Sequence, residues 1–133
     1  MFVSFVIMIS FFRKYFIASW IWLIIVTTLS TLPGTYFPEV NILNFDKVVH
    51  LFMYFTFVSV LLWSMYINNW KNAALKAFSI ATLYSILMEI IQGTICIRRS
   101  FDIFDIISNT IGAALAALLI HFWFQKKFPF TIK

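Results

Sequence analysis

The chain has 133 residues, 62% of them hydrophobic and 11% charged, with a formal net charge of +5. Soluble domains carry about 25% charged residues, and a water-soluble fold of this length keeps too much surface exposed to hide so many Phe, Ile and Leu side chains. The composition excludes an ordinary soluble domain and indicates a single-domain integral membrane protein with the lipid bilayer as its first partner.

Residues 1–12, MFVSFVIMISFF, are apolar but shorter than the ~20 residues a spanning helix needs. Arg13 and Lys14 follow this run instead of preceding it, and no small-residue cleavage pattern appears, so it does not read as a signal peptide. Residues 1–14 are expected either to continue the first helix or to lie in the membrane interface. The membrane domain proper, residues 15–133, holds four apolar segments. The first covers about 15–32 and stops at Pro33-Gly34. The second covers about 48–67 and closes at Asn68-Asn69. The third covers about 73–92 and ends at Gly93. The fourth covers about 103–124 and stops at Gln125-Lys126-Lys127. None alternates apolar and polar residues as a barrel strand does. The expected fold is therefore all-α, a polytopic four-helix membrane bundle.

Charge sets the expected orientation. The N-terminus, middle loop and C-terminus share one side, with Arg13, Lys14, Lys71, Lys76, Lys126, Lys127 and Lys133; the other side has Lys47, Arg98 and Arg99. The excess of basic residues places both termini in the cytoplasm. All five carboxylates, Glu39, Asp46, Glu89, Asp102 and Asp105, then fall on or near the outer face. Basic residues clustered between spans act as topology signals, and no nucleic-acid partner is expected.

Three polar clusters interrupt the apolar spans. In "DKVVH", Asp46 and His50 share a helix face, which Tyr54 continues one turn deeper. In "SILMEIIQ", Ser85, Glu89 and Gln92 form one stripe. In "RRSFDIFDIISNTIG", Asp102, Asp105, Asn109 and Gly112 stay within an arc of about 80°. His50, Glu89 and Asp105 each lie about one turn from the same end of their helices at ~1.5 Å rise per residue. A charge facing lipid at the centre of a span costs at least ~2.5–3.5 kcal/mol, so these groups are expected to face one another, with the arginines above as counterions. A structural account runs alongside: Ser100 as N-cap of the fourth helix, Asp102 complementing its dipole, Glu89 paired with Arg98 or Arg99, and Gly112 with the alanines after it packing helices closely. Cys96 reads as a small apolar filler, His121 as an interfacial histidine, and the five tryptophans as interface and packing residues.

"LSTLPG", "DKVVHLFMYF", "EIIQ" and "RRSFDIFDIISNTIG", in this order relative to the spans, resemble the VanZ-like family of small bacterial membrane proteins. Asp46, Lys47, His50, Glu89, Gln92, Arg99, Ser100, Asp102, Asp105, Asn109 and Gly112 stand at the positions of its pattern. The resemblance covers roughly residues 29–112 and does not reach the first twelve. It implies a multi-pass protein of the bacterial cytoplasmic membrane and cell envelope, and a link to glycopeptide (teicoplanin) resistance.

Three function classes follow. In the first, a non-enzymatic envelope factor binds a lipid head group, cell-wall precursor or partner protein through Asp46, Lys47, His50, Glu89, Gln92, Arg98, Arg99, Asp102, Asp105 and Asn109. Arg98, Arg99 and Lys47 would draw in phosphate or carboxylate. In the second, a membrane enzyme acts on a lipid-linked or phosphorylated substrate, with His50, Glu89 and Asp105 the candidates for acid-base chemistry. Asp46, Glu89, Asp102 and Asp105 could instead hold Mg²⁺ beside a phosphate, but no cofactor is expected, and Asp102 and Asp105 are the candidates if a metal is held. In the third, a transporter subunit, four spans without repeats are few.

Overall fold

A computed structural model of the chain describes residues 2–36 and 45–127, with side chains from Phe16 onward. Glu39 and Lys133, and the side chains of Arg13 and Lys14, lie outside the described residues. The elements are α1 (Phe2–Thr31), a single 3-10 turn (Gly34–Tyr36), α2 (Phe45–Ile67), α3 (Ala73–Thr94) and α4 (Ile103–Lys127). No strand occurs among the described residues. Helices α2, α3 and α4 are long and apolar enough to cross a membrane, and Phe16–Thr31 of α1 is a shorter apolar helix. Large apolar side chains such as Leu83, Leu119 and Phe122 face outward, as they do against lipid.

Helix ends differ from expectation for local reasons. Residues 2–14 share one unbroken helix with the first span. Helix α2 begins at Phe45, three residues early, with Asp46 in its first turn complementing the dipole. Its end is a Schellman closure: Asn69, at φ 54°, donates to the Tyr66 carbonyl and Trp70 to that of Met65, both at 3.0 Å. Helix α3 runs through Gly93 to Thr94, so this glycine does not end it. A Cβ at Gly93 would fall 2.8 Å from the Cβ of Phe101, which shows that the glycine admits the returning loop. Helix α4 continues past Phe124 to Lys127, because two lysines in a last turn favour the carbonyl end of the dipole.

The bundle is rhombic. Helices α2 and α4 share the largest interface, α3 packs on both, and α1 packs on α2 and α3 but not on α4 among the described residues. Small residues let the central helices approach. Ala73, Ala77, Ala81 and Ser85 form one buried i, i+4 stripe on α3, and α4 buries Gly112, Ala113, Ala116 and Ala117, with Gly112 against α2. Among its described side chains, from Phe16 onward, helix α1 buries Ser19, Val26 and Ser30, and it is held by polar contacts. The Ser19 and Ser64 hydroxyls are 3.2 Å apart, Trp22 Nε1 donates to Met53 O at 3.0 Å, and Thr27 pairs with the Tyr84 hydroxyl.

Candidate functional site

The start of α2, the end of α3 and the start of α4 meet at one end of the bundle. The α3 stripe that is small and apolar lower down becomes polar there, through Ser85, Glu89 and Gln92. Lys47, in the first turn of α2, reaches across to α4. Its Nζ is 2.8 Å from Asp46 Oδ2 and 2.5 Å from Asp102 Oδ2, and it also donates to Asp105 Oδ1. The expected counterions were the arginines; the ammonium over these carboxylates is that of Lys47. The sequence could not rank them, because loop geometry decides which cation reaches back over the helix ends.

Asp102, not Ser100, caps α4. Its Oδ1 accepts the Phe104 N–H at 2.8 Å, and α4 begins only at Ile103, too far along for Ser100 to serve its first turn. The Lys47 hydrogen bond, aided by the Phe104 N–H, holds the Asp102 carboxyl below the usual carboxylate range.

Below Lys47 lies a second layer. Asn109 Nδ2 donates to Ser85 Oγ at 2.8 Å, so its Oδ1 accepts, and His50 Nδ1 lies 3.2 Å from that oxygen as the donor. His50 Nε2 then points at Asp105 Oδ2, 3.5 Å away. Glu89, 1% exposed, accepts the Asp102 backbone N–H through Oε2 at 3.1 Å. The Tyr54 hydroxyl sits beside Ser85 within Coulombic reach of Glu89. It is buried, yet no partner meets it at hydrogen-bond geometry.

Seven of the expected residues, Asp46, Lys47, His50, Glu89, Asp102, Asp105 and Asn109, thus converge. Ser85 belongs with them as the anchor of Asn109; its place on the Glu89 stripe was the signal. Gln92 and Arg99 turn instead to the end of α1. Gln92 Nε2 donates to Ser30 O at 2.8 Å, Arg99 Nε to Leu32 O at 3.3 Å and Arg99 Nη2 to Leu29 O at 3.5 Å. A helix leaves its last carbonyls without intrahelical donors, and these two side chains supply them. Arg98 is exposed on the α3–α4 loop at φ 54°, and Cys96 is half-buried on the same loop.

Chemically the cluster is acid-rich: four carboxylates surround one ammonium and one imidazole. One ligand atom each from His50, Glu89 and Asp105 lie within 4.8 Å of one another, as do one each from Asp46, Asp102 and Asp105. Such a cluster attracts cations more readily than anions. On the opposite face of α2, a groove of about 420 Å³ between α1 and α2 is lined by apolar residues such as Trp22, Val49 and Phe52, and offers lipid contact instead of chemistry. At the far end of the bundle, His121 has two partners, Tyr66 Oη at Nδ1 and Gln125 at Nε2, 2.9 Å away. This is more fixed than the interfacial role expected of it.

A family model described as VanZ/LLP1 matches residues 1–124. The chain is also similar to an uncharacterized protein of the fission yeast Schizosaccharomyces pombe, 31% identical over 74 residues, which cover 56% of this chain and 45% of the relative. The chain thus matches less than half the length of that relative. No solved structure matches it.

Proposed function

We infer, for a chain that belongs to the VanZ-like family of multi-pass membrane proteins, that the polar cluster at the mouth of α2, α3 and α4 binds the head of a membrane-borne ligand, a lipid head group or cell-wall precursor. The observation that carries this reading is the convergence of Lys47, His50, Glu89, Asp105 and Asn109 at one depth. Glu89 and Asn109 are each only 1% exposed, and ionisable groups within spans are costly to keep without a use. The charge balance changes the expected ligand chemistry. Lys47 is engaged by three carboxylates and Arg99 caps α1, so direct capture of an anion loses its main donors. An amine-bearing head group, or a phosphate bridged by a cation, suits the acid-rich surface better.

The same reading places both termini in the cytoplasm, the site on the outer face of a bacterial cytoplasmic membrane, and teicoplanin susceptibility among its outward effects. The support is the distribution of lysines and arginines together with the family resemblance. The test is native mass spectrometry of protein purified with its lipids, beside teicoplanin susceptibility of cells with and without the gene. Asp105→Asn should reduce the retained lipid or precursor and any susceptibility effect while leaving membrane insertion intact. Unchanged lipid retention and susceptibility would sink the reading.

A second reading is favoured by one observation. His50 is held at Nδ1 by Asn109 and faces Asp105 through Nε2, an arrangement that suits general acid-base chemistry on a phosphorylated or lipid-linked substrate. Release of phosphate or diphosphate from such lipids by the purified protein, lost in His50→Gln, is the expected sign. Equal release by that variant refutes it.

A further inference from the structure

We propose that His50 Nε2, Asp105 Oδ2 and Glu89 form a mononuclear site for a divalent transition-metal ion, Zn²⁺ by its donor set. The inference rests on the reading of this cluster as a binding site and names what is held at its deepest point.

Three observations carry it. First, the His50 ring is held from behind. Asn109 donates an amide N–H to Ser85 and presents its oxygen to His50 Nδ1, which leaves Nε2 facing Asp105 Oδ2. An imidazole fixed at one nitrogen by an outer partner and turned to a carboxylate with the other has the orientation of a metal ligand. The 3.5 Å separation is long for a charge-assisted N–H···O bond of about 2.7–2.9 Å. It approximates the edge, roughly 3.3–3.4 Å, of a tetrahedron around an ion bonded at ~2.0–2.1 Å.

Second, each carboxylate has one oxygen engaged by an outer partner, and one ligand atom each from His50, Glu89 and Asp105 lie within 4.8 Å of one another. Asp105 gives Oδ1 to Lys47, which leaves Oδ2 for the site. Glu89 gives Oε2 to the Asp102 N–H, which leaves Oε1. Outer partners of this kind orient metal ligands, as Asn109 does for His50. Third, the Tyr54 hydroxyl, one turn below His50 and beside Ser85 and Glu89, is buried with no partner at hydrogen-bond geometry. Three protein ligands leave a fourth position for water or a head-group oxygen. An imidazole among the ligands selects against Mg²⁺ and Ca²⁺, and the absence of thiolate among these three selects against the softest ions.

The experiment uses the full chain in nanodiscs, stripped with chelator and dialysed against Zn²⁺. Bound metal is read by elemental analysis, and the site geometry from the visible absorption of the Co²⁺ form. The expected result is stoichiometric Zn²⁺, a four-coordinate Co²⁺ spectrum and a higher unfolding temperature with Zn²⁺ than with Mg²⁺. Glu89→Gln, which keeps the side-chain shape, should weaken binding at least tenfold. Asn109→Ser should weaken it roughly 10–100-fold by freeing His50. His121→Ala, which removes the other histidine, should change nothing. Undiminished binding in Glu89→Gln, or a folded wild type that retains no Zn²⁺, overturns the proposal. Should a variant misfold, the Zn²⁺ dependence of the wild-type unfolding temperature decides alone. Lipid content is measured on the same samples: lipid retained by wild type that binds no metal refutes the metal site only, and metal bound without lipid refutes the head-group reading only.

Discussion

Gly112 of α4 lies against the backbone carbonyl of Leu51 on α2. A Cβ at Gly112 would fall 2.2 Å from Leu51 O and 3.0 Å from its carbonyl carbon. Backbone meets backbone here, so no side chain can swing away. This contact sets the spacing of the largest interface in the bundle, one turn below Asn109. Gly112→Ala should therefore destabilise the protein by at least about 1–3 kcal/mol, the usual cost of overpacking, and displace Asn109 from His50. Gly93→Ala should cost less, because its closest approach, 2.8 Å to the Phe101 Cβ, is a smaller overlap. Unfolding in a detergent titration checks the order; an equal or smaller loss at Gly112 contradicts it.

Lys47 is the hub of the carboxylates. Lys47→Met should leave Asp46, Asp102 and Asp105 without their cation and cost about 1–3 kcal/mol, since the pair with Asp105 is largely buried while Asp46 is solvent-screened. Adding Asp105→Asn to Lys47→Met should recover part of the loss, since one uncompensated charge is gone. A double variant no more stable than Lys47→Met would show that the pairing carries no such energy.

Asp102 predicts an acid response of fixed sign. Its folded pKa lies below the ordinary 3.8. Its contribution to stability is therefore complete above about pH 4 and is lost as pH falls through the lowered folded value. Asp102→Asn keeps the cap and loses the ion pair, whereas Asp102→Ala loses both, the cap alone being worth about 0.5–2 kcal/mol. Unfolding temperatures between pH 3 and 7 test this: wild type should lose its advantage over Asp102→Asn at the acid end of the range, and a constant gap refutes the assignment.

Gln92 and Arg99 act together on the end of α1. Gln92→Ala should cost about 0.5–1.5 kcal/mol, the net value of one hydrogen bond. The double change with Arg99→Ala should loosen α1, seen as faster backbone hydrogen exchange near Leu29–Leu32. Protection equal to wild type in the double variant refutes the capping role. Any loss of function in Arg99→Ala should then be judged beside its stability.

Much of this architecture was legible in the residues. The spans follow from runs of apolar side chains, and the convergence of His50, Glu89 and Asp105 follows from equal depth on three helices. Spacing along one helix fixes a face, which is why the Ser85–Glu89 stripe and the Asp105–Asn109 stripe reappear intact. Spacing says nothing about how a loop returns. The exchange of Lys47 for the arginines, the cap at Asp102 instead of Ser100, and the passage of α3 through Gly93 all depend on the α3–α4 loop. Gln92 was misleading for a related reason: it shares a face with Glu89, but one further turn carries it beyond the cluster to the last carbonyls of α1.

The rhombic packing also bears on how the protein is made. Among the described residues helix α1 touches α2 and α3 but not α4, and its Thr27 and Thr31 hydroxyls bond carbonyls of their own helix, Leu23 and Thr27. These two hydroxyls have acceptors before any later helix is made. Glu89 differs, because the donor it accepts, the Asp102 N–H, is synthesised later. The mouth of the bundle is therefore complete only once α4 has joined α3, because Asp102, Asp105 and Asn109 all follow the loop that supplies this donor.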